Sequence, residues 1–549
     1  MASRHVISTD ILIIGGGSAG CMAAIRAKEV APDLKVTLFE KGTVRHSGCI
    51  AMGMDALNNV VVPGVTTPDD YVEAIRLVTE GIFDPAPHRT IGQRSFSVLQ
   101  RLEAWGIKFR HREDGSYYVH QIHPNAPFTV PMDAPDLKTI LATRVEELGV
   151  RIVDRTMALA LLTDNNGACG AVGFHVHSGD LLICLAKAVI ITSGGCARFG
   201  LPNSGYLFGT VDFPGNAGDG YALGYQAGAQ VTGMEYTVNA AIVKDLNAPL
   251  LVPAQSMGAI IVNSQGEEVA GTKGRAHTTT EMWESNSFNA PLFMRTRHLP
   301  EEKIKQIESV LFSTERPIQQ RFYEGRRINL REQDVELGPT EHYLCGGHGM
   351  AGLVVNERAE TSLPGLYAAG DSAGVAFQYL TGAFVLGEVA AEGASELVRQ
   401  RQAPRLNEDQ VLDAERKIEE AACPKQGHGL SIDEFEFKVR RIVNDYVVSP
   451  KNDWKLHNAI QWMHKFRREL PQMVQVTDAH YLARYFEVGY IIDSSELSAT
   501  AALTRTESRW GPRHRRTDYP QRDDQNWLKQ ILMKRAPDGG IRVECRSVD

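Results

Sequence analysis

Gly15, Gly17 and Gly20 stand in the spacing G-x-G-x-x-G, and the carboxylate of Glu40 follows twenty residues after the last of them. Glycines at these steps let the chain turn tightly and bring its backbone against a pyrophosphate. N–H groups at a helix start then face the phosphates, and the acid accepts from a ribose hydroxyl. The elements that must position this set follow in order. Ile11 to Ile14 is an apolar run suited to a strand buried on both faces. Ala19, Met22, Ala23, Ala24, Ile25 and Ala27 continue as a small-residue helix, and Val36 to Phe39 is a second strand that delivers Glu40 and Lys41.

The fingerprint alone leaves FAD and NAD open, and two later segments favour FAD. Ala188 to Gly200 is an apolar strand running into Thr192, Ser193, Gly194 and Gly195. Leu363 to Val375 is a strand ending in Gly370-Asp371. In two-domain flavoproteins the chain returns late to the dinucleotide domain, and an aspartate there holds the ribityl chain. The expected cofactor set is therefore Gly15, Gly17, Ser18, Ala19, Gly20, Glu40, Lys41, Ser193, Gly194, Asp219, Gly370 and Asp371.

A chain of 549 residues suggests two to four domains. A net charge of −8 gives no reason to expect nucleic-acid binding. No apolar run reaches about 18 residues, so no membrane span is expected. The first strand begins within ten residues of Met1, without a basic start or a long apolar leader, which points to the cytoplasm. The eight cysteines are scattered and none forms C-x-x-C. The chain is thus expected to hold no metal, neither an iron–sulfur cluster nor structural zinc, and any metal-centre electron partner would be another polypeptide.

The fold class expected is α/β: a Rossmann-like FAD-binding domain, an inserted α+β capping domain and a C-terminal helical domain. Residues 1–231 read as the first part of the FAD domain. In it, Pro135 to Leu162 is a helix followed by strands, and Gly215 to Val231 a loop into a helix. Residues 232–352 read as the cap, with Trp283, Phe288, Phe293, Met294, Arg295, Arg297 and His298. Residues 353–403 return to the FAD domain, with a helix from Val375 to Leu397. Residues 404–549 carry charge and apolar side chains at helical spacing, then a charged tail. In that tail Arg505, Arg509, Arg513, Arg515, Arg516 and Arg522 alternate with Glu507, Asp518, Asp523 and Asp524. A solvated loop is one reading. A docked, ion-paired segment is preferred, because Trp510, Tyr519 and Trp527 need burial.

The motifs "IIGGGSAG", "HSGCIAMGMDALNN", "ITSGGCARF", "NAGDGYALGYQAGA", "TEHYLCGGHGMAGLVV", "LPGLYAAGDSAG" and "ESRWGPRHRRTDYPQRDDQNWLK" span nearly the whole chain. On them the chain resembles the fumarate reductase/succinate dehydrogenase flavoprotein superfamily, and within it is most similar to the adenylylsulfate reductase alpha subunit. The resemblance implies electron transfer through FAD, a small-molecule substrate between flavin and cap, and a ferredoxin-like iron–sulfur partner subunit; a homo-oligomer stays open. It adds Ser47, Gly48, Gly53 and Asn58 to the cofactor set, with Asn58 near flavin N5. Members with covalent flavin use a histidine where this chain has Ser47, so FAD is expected to be non-covalent. His46, one residue early, either lines the cofactor rim or sits in a turn.

The resemblance also supplies catalytic candidates. Thr340 to Gly347 matches the T-x-H-Y-x-x-G-G pattern, which makes His342 a proton donor or acceptor opposite the flavin, or else a structural histidine. Arg295 and Tyr379 stand behind it. Two departures bear on substrate. The stretch after Gly370-Asp371, "FQYLTGAFVLGEVA", lacks the arginine with which fumarate reductases hold a dicarboxylate. The adenylylsulfate-binding arginine and histidine fall at Ile242 and Val385. Both point to a less charged substrate in a more aromatic pocket with Tyr236, Phe377, Tyr379 and Phe384. The leading reading is the catalytic flavoprotein of a two-subunit reductase or dehydrogenase. The alternatives are a stand-alone oxidase, a fumarate reductase/succinate dehydrogenase-type enzyme on a small organic acid, and an electron relay without a substrate pocket. The hydride would be exchanged at N5, with N–H groups of the helix after Asp371 facing the pyrimidine O2.

Overall fold

The computed structural model describes residues 3–52, 54–119, 127–202, 212–246, 254–255, 257–269, 289–312, 318–425 and 429–548. Gly53, Trp283 and Phe288 lie outside them. Strand β1 (Arg4–Ile14) runs parallel to β2 (Val36–Phe39), with Ile14 opposite Phe39. Between them α1 (Ser18–Val30) buries Ala19, Met22, Ala23, Ala24, Ile25 and Ala27. The main sheet continues through β3 (Arg151–Val153), β4 (Thr156–Asp164), β5 (Gly167–His175) and β6 (Leu181–Ile191), in the order β3-β2-β1-β6-β5-β4. A seventh strand, β7 (Leu366–Ala368), pairs in parallel with the end of β6. β6 is long because, on the edge away from β1, it serves two neighbours: Leu181 to Leu185 lie antiparallel to β5, and Val189 to Ile191 lie parallel to β7. Covered on both faces, Ile11–Ile14 of β1 and Ala188–Ile191 of β6 read as unbroken apolar runs rather than alternating ones.

The carboxyl ends of β1, β6 and β7 converge. Gly370, at φ 64°, would place a Cβ 3.0 Å from that of Ala19 in α1. Ser372 Oγ donates to Gly194 O at 3.1 Å. Helix α2 (Asp219–Gln226) carries Asp219 at its first position, and α3 (Tyr379–Gln400) crosses α1 so closely that a Cβ on Gly387 would lie 2.6 Å from Ala19 O. The start of α3 corrects the sequence reading, which began this helix at Val375. Phe377 (φ 49°) and Tyr379 (φ 48°) are left-handed, and the Gln378 amide donates to Gly370 O and Ala373 O. The chain therefore loops for several residues after Asp371.

The cap is an antiparallel sheet of Ala241–Val243, Val335–Pro339, Leu292–Arg295 and Ile260–Val262, with its own core including Val243, Ile261, Leu292, Met294, Ile307 and Leu337. Helices Glu408–Ala422, Ile432–Ile442, Asp453–Met473 and Ala479–Thr504 follow. Ser431 and Glu434 close a capping box, and Asn452 caps the third of these helices. The chain does not end helically. Lys529–Arg535 and Ile541–Ser547 form a hairpin that adds to Val231–Thr232 and Gly352–Leu353 in a second sheet. The run Gln530 to Met533 is too short for periodicity to tell strand from helix. The preceding tail is docked: Arg505, Glu507, Arg509 and Arg516 are buried, as is Trp510, whereas Tyr519 keeps 38% of its surface exposed and needs no burial. No helix among the described residues is long and apolar enough to cross a membrane.

Candidate functional site

At the dinucleotide end each glycine has a distinct reason. Gly15 turns at φ 103°, and a Cβ there would sit 2.5 Å from Thr192 O. A Cβ on Gly20 would lie 1.9 Å from Gly15 O, so only glycine lets the helix approach the strand. Gly17, at the N-cap of α1, would meet nothing within 4 Å, so its outer face is open to an approaching group. Ser18 and Ala19 open the helix, presenting N–H groups without carbonyl partners in their own turn. The Glu40 carboxylate is buried beside this turn and accepts from Gly16 N at 2.7 Å and Gly42 N at 2.8 Å. Gly48, at φ 88°, would put a Cβ 3.1 Å from Gly17 Cα, so the Ser47-Gly48 loop lies across the turn. Ser193 Oγ is buried near the end of β6 without a partner. An open face at Gly17 and an orphaned hydroxyl at Ser193 fit a bound dinucleotide, and the residues at both ends suit FAD.

Other expected cofactor residues have protein partners. Lys41 Nζ pairs with Asp219 Oδ1 and Glu487 Oε1, each at 2.7 Å. That triad ties the dinucleotide domain to helix Ala479–Thr504. Ser47 is buried and accepts from Thr43 N at 3.0 Å, while His46 is exposed. Asn58 Oδ1 accepts from Thr129 Oγ1 at 2.8 Å, which orients its amide nitrogen away from Thr129. Asp371 accepts from Gly347 N at 2.6 Å, and burial beside Asp212 pushes its pKa up to about 7. Lys138, absent from the expected set, is buried and donates to Gly16 O.

Beyond Gly347 the walls become aromatic. His348 packs edge-on to Tyr379 at 5.1 Å between centroids, and Tyr379 stacks on Phe377 at 5.8 Å. Phe377 meets Trp510 at 5.2 Å, and Tyr343 lies 6.5 Å from His348. More than a third of His348 is accessible between these rings, which form a recess, and desolvation lowers its pKa against the pull of Asp212, with Arg513 adding to the lowering. The loop that carries these rings is pinned from beneath: Asn59 Nδ2 donates to Phe377 O. Arg513 closes the recess, its guanidinium 5.1 Å from the centroid of Phe377 and 4.5 Å from that of Trp510.

His342 sits half-buried on the same segment as His348. Burial, with Lys451 adding to it, lowers its pKa to about 4. It is therefore neutral at pH 7 and holds a proton only weakly in the free protein. Well above pH 6.5 neither folded nor unfolded chain protonates this ring. As pH falls from 6.5 towards 4 the unfolded chain takes up a proton that the folded one refuses, and stability drops. In His342→Gln, urea midpoints measured between pH 7 and 4.5 are expected to fall less steeply than in the wild type.

Arg295 Nε and Nη2 engage Asp334 at 3.0 and 2.7 Å, and Nη1 donates to Gly266 O. Asp334 also pairs with Arg297, so the two guanidiniums share one carboxylate within the cap. Ile242 and Val385 are buried apolar side chains, as their types demand. The sequence reading passed over His348, Asn59 and Arg513. One signal for Arg513 was available: Arg509 and Arg516 each have an acid two residues away, while none lies within four of Arg513.

A Rossmann-type β1–α1–β2 unit with FAD-compatible surroundings, a cap and a helical C-terminal region together define a flavoprotein oxidoreductase. The FAD binding domain family matches residues 10–383, and the fumarate reductase flavoprotein C-terminal family matches residues 437–549. The chain belongs to the fumarate reductase-type FAD-dependent flavoprotein family. It is 26% identical to an uncharacterized FAD-dependent oxidoreductase of Methanocaldococcus jannaschii, over 96% of both chains. It is 25% identical to the fumarate reductase flavoprotein subunit of Haemophilus influenzae, over 99% of this chain and 95% of that one. Among solved structures, adenylylsulfate reductase of Archaeoglobus fulgidus superposes with a TM-score of 0.90 at 25% identity, covering 100% of this chain and 96% of that one.

Proposed function

We propose that this FAD-dependent oxidoreductase is the catalytic flavoprotein subunit of a reductase or dehydrogenase that passes electrons to or from a separate iron–sulfur protein. The observation that carries the reading is its cysteine inventory. All eight are free, and six of them are buried or half-buried singly in the fold. A single group of side chains among the described residues could gather on a metal, Cys49 with Asp212 and Asp371, and it belongs to the Asp371 end of the cofactor site. Relatives named as subunits support a partner chain. Eight unpaired thiols also suit a reducing compartment such as the cytoplasm.

Bound FAD would supply two-electron exchange with substrate and one-electron exchange with the partner. It would be held by Gly15, Gly17, Ser18, Ala19, Gly20, Glu40, Ser47, Gly48, Ser193, Gly194, Gly370 and Asp371. The Asn58 amide nitrogen would be free to donate at its rim. The recess walls would exclude water, and His342 would take up the proton released with hydride exchange at carbon or, once protonated there, return it, with Tyr379 behind it. Ser47 cannot form the histidyl link, so the flavin is non-covalent. Acid precipitation is expected to leave all flavin colour in the supernatant. The function is tested by photoreducing the holoenzyme without oxygen and adding ferredoxin-like proteins from the same cells. Flavin reoxidation by one of them, slow reoxidation by O2, and its recovery with the chain from lysate support the reading. Fast peroxide formation with no such transfer would replace it with an oxidase.

A further inference from the structure

Arg505, Arg509 and Arg516 are buried, and each has carboxylates: Glu235 and Glu507, Glu507 and Asp524, Asp453 and Asp518. Arg513 is 9% exposed and has none among the described residues. Among the described residues its side chain makes one protein hydrogen bond, Nη1 to His348 O at 2.5 Å. The groups that act on it most are the neutral acids Tyr343, Tyr379 and Cys345, and it in turn acts on His348, which with Tyr343 also faces Asp212. A guanidinium taken out of water without a counter-charge is costly, and an anion bound beside it would relieve that cost.

The surroundings say what kind of anion. Phe377 and Trp510 cover the guanidinium, which leaves its in-plane edge, with Nε and Nη2, for a ligand. A planar fork presented by its edge matches a carboxylate held through two parallel hydrogen bonds. The backbone is strained to make this arrangement. Phe377, Tyr379 and Trp510 all sit at φ between 48° and 61°, which bulky side chains rarely adopt, and such strain collects at ligand sites. The neighbouring imidazoles carry no charge at pH 7, and the Lys451 ammonium is turned onto backbone carbonyls of Glu235 and Arg513. One fixed positive charge in aromatic walls suits one negative charge on a flat apolar body.

We propose that Arg513 anchors the substrate, and that the substrate is a planar, largely apolar monocarboxylate held by its carboxyl group. This rests on the reading of the recess as the substrate side of the flavoprotein, and it gives a physical form to the less charged ligand implied by Ile242 and Val385. Arg513 does so from the C-terminal tail, a different part of the chain from the helix after Gly370-Asp371.

The test is calorimetry, with flavin difference spectra alongside, on the oxidised holoenzyme with benzoate, benzamide and inorganic phosphate as probes. Wild type is expected to bind benzoate saturably and at least about tenfold more tightly than benzamide or phosphate. Arg513→Gln is expected to weaken benzoate by about 30-fold or more, leave benzamide unchanged and retain FAD, with Arg513→Lys in between. Benzoate bound equally by wild type and Arg513→Gln overturns the proposal. So does a wild type that binds no benzoate or prefers benzamide or phosphate, a comparison that stands even if the variants do not fold. A wild-type chain that never takes up FAD would instead defeat the reading of the site on which the proposal rests.

Discussion

Gly17→Ala and Gly20→Ala will fail in different ways, although both replace a glycine of one fingerprint. In Gly20→Ala the new methyl lies 1.9 Å from Gly15 O and 2.7 Å from Thr192 Oγ1, a collision with backbone that a rotamer change cannot relieve. Strand β1 and helix α1 must separate, and the core between them opens. The expected result is an apo-protein destabilised by about 3 kcal/mol or more, or insoluble protein, as for severe overpacking. Gly17 sits at φ −69° with nothing within 4 Å of the added carbon. The apo-protein should melt as the wild type does or gain about 0.4–1 kcal/mol, because alanine restricts the unfolded chain. FAD affinity should still fall by about a hundredfold or more, or about 2.8 kcal/mol, because the methyl occupies the space the pyrophosphate approaches. The measurements are denaturant melts of flavin-free protein and fluorescence titration with FAD. Undiminished FAD affinity in Gly17→Ala would move the dinucleotide away from this turn.

That contrast shows what could be read in the chain beforehand. The β1–α1–β2 unit was legible because its constraints are local: a buried strand, three glycines and an acid lie within thirty residues. β6 and β7 were legible as apolar runs ending in glycine. The start of α3 was not, because its residues Val375 to Gln378 have helical composition. What stops the helix there is a set of long-range bonds, from Asn59 to Phe377 O and from Gln378 back to Gly370. The cap strands carried little signal: Ala241–Val243 and Ile260–Val262 have three residues each, too few to show a period. Arg295 looked available because Asp334, its partner, is 39 residues away. Arg513 was hidden for the opposite reason. It stands among arginines whose acids are local, and only the packing shows that it alone of the buried ones described above has no carboxylate.

Glu507→Ala should then be among the most damaging single changes outside the cofactor site. Glu507 is fully buried, and its oxygens accept from Arg505 Nη1 at 2.9 Å, Arg509 Nε and Nη2 at 2.6 and 2.9 Å, and Asp523 N at 2.8 Å. Removing it strands two guanidiniums in the interior, each with only part of its charge balanced by Glu235 or Asp524. Breaking a buried ionic network from one side costs about 3–5 kcal/mol, whereas exchanging the whole network for apolar groups need not. The loss should also spread. Arg505 anchors Trp527 O and Lys529 O at the hairpin, and Arg509 anchors Glu80 O, so the segment between them is held at both ends by Glu507. That segment leads directly into Trp510 and Arg513. Trypsin should accordingly cut Glu507→Ala within residues 505–523 under native conditions while the wild type resists, and the urea midpoint should fall by the corresponding amount. The exposed pair of Arg399 with Asp33 provides the control, since Asp33→Ala removes a bond of 2.6 Å in solvent and should change neither readout. A Glu507→Ala protein as resistant as the wild type would mean that the tail is held by its aromatic contacts alone. The recess around Arg513 would then owe its shape to Trp510 and Phe377, with the ion pairs beneath them contributing nothing measurable.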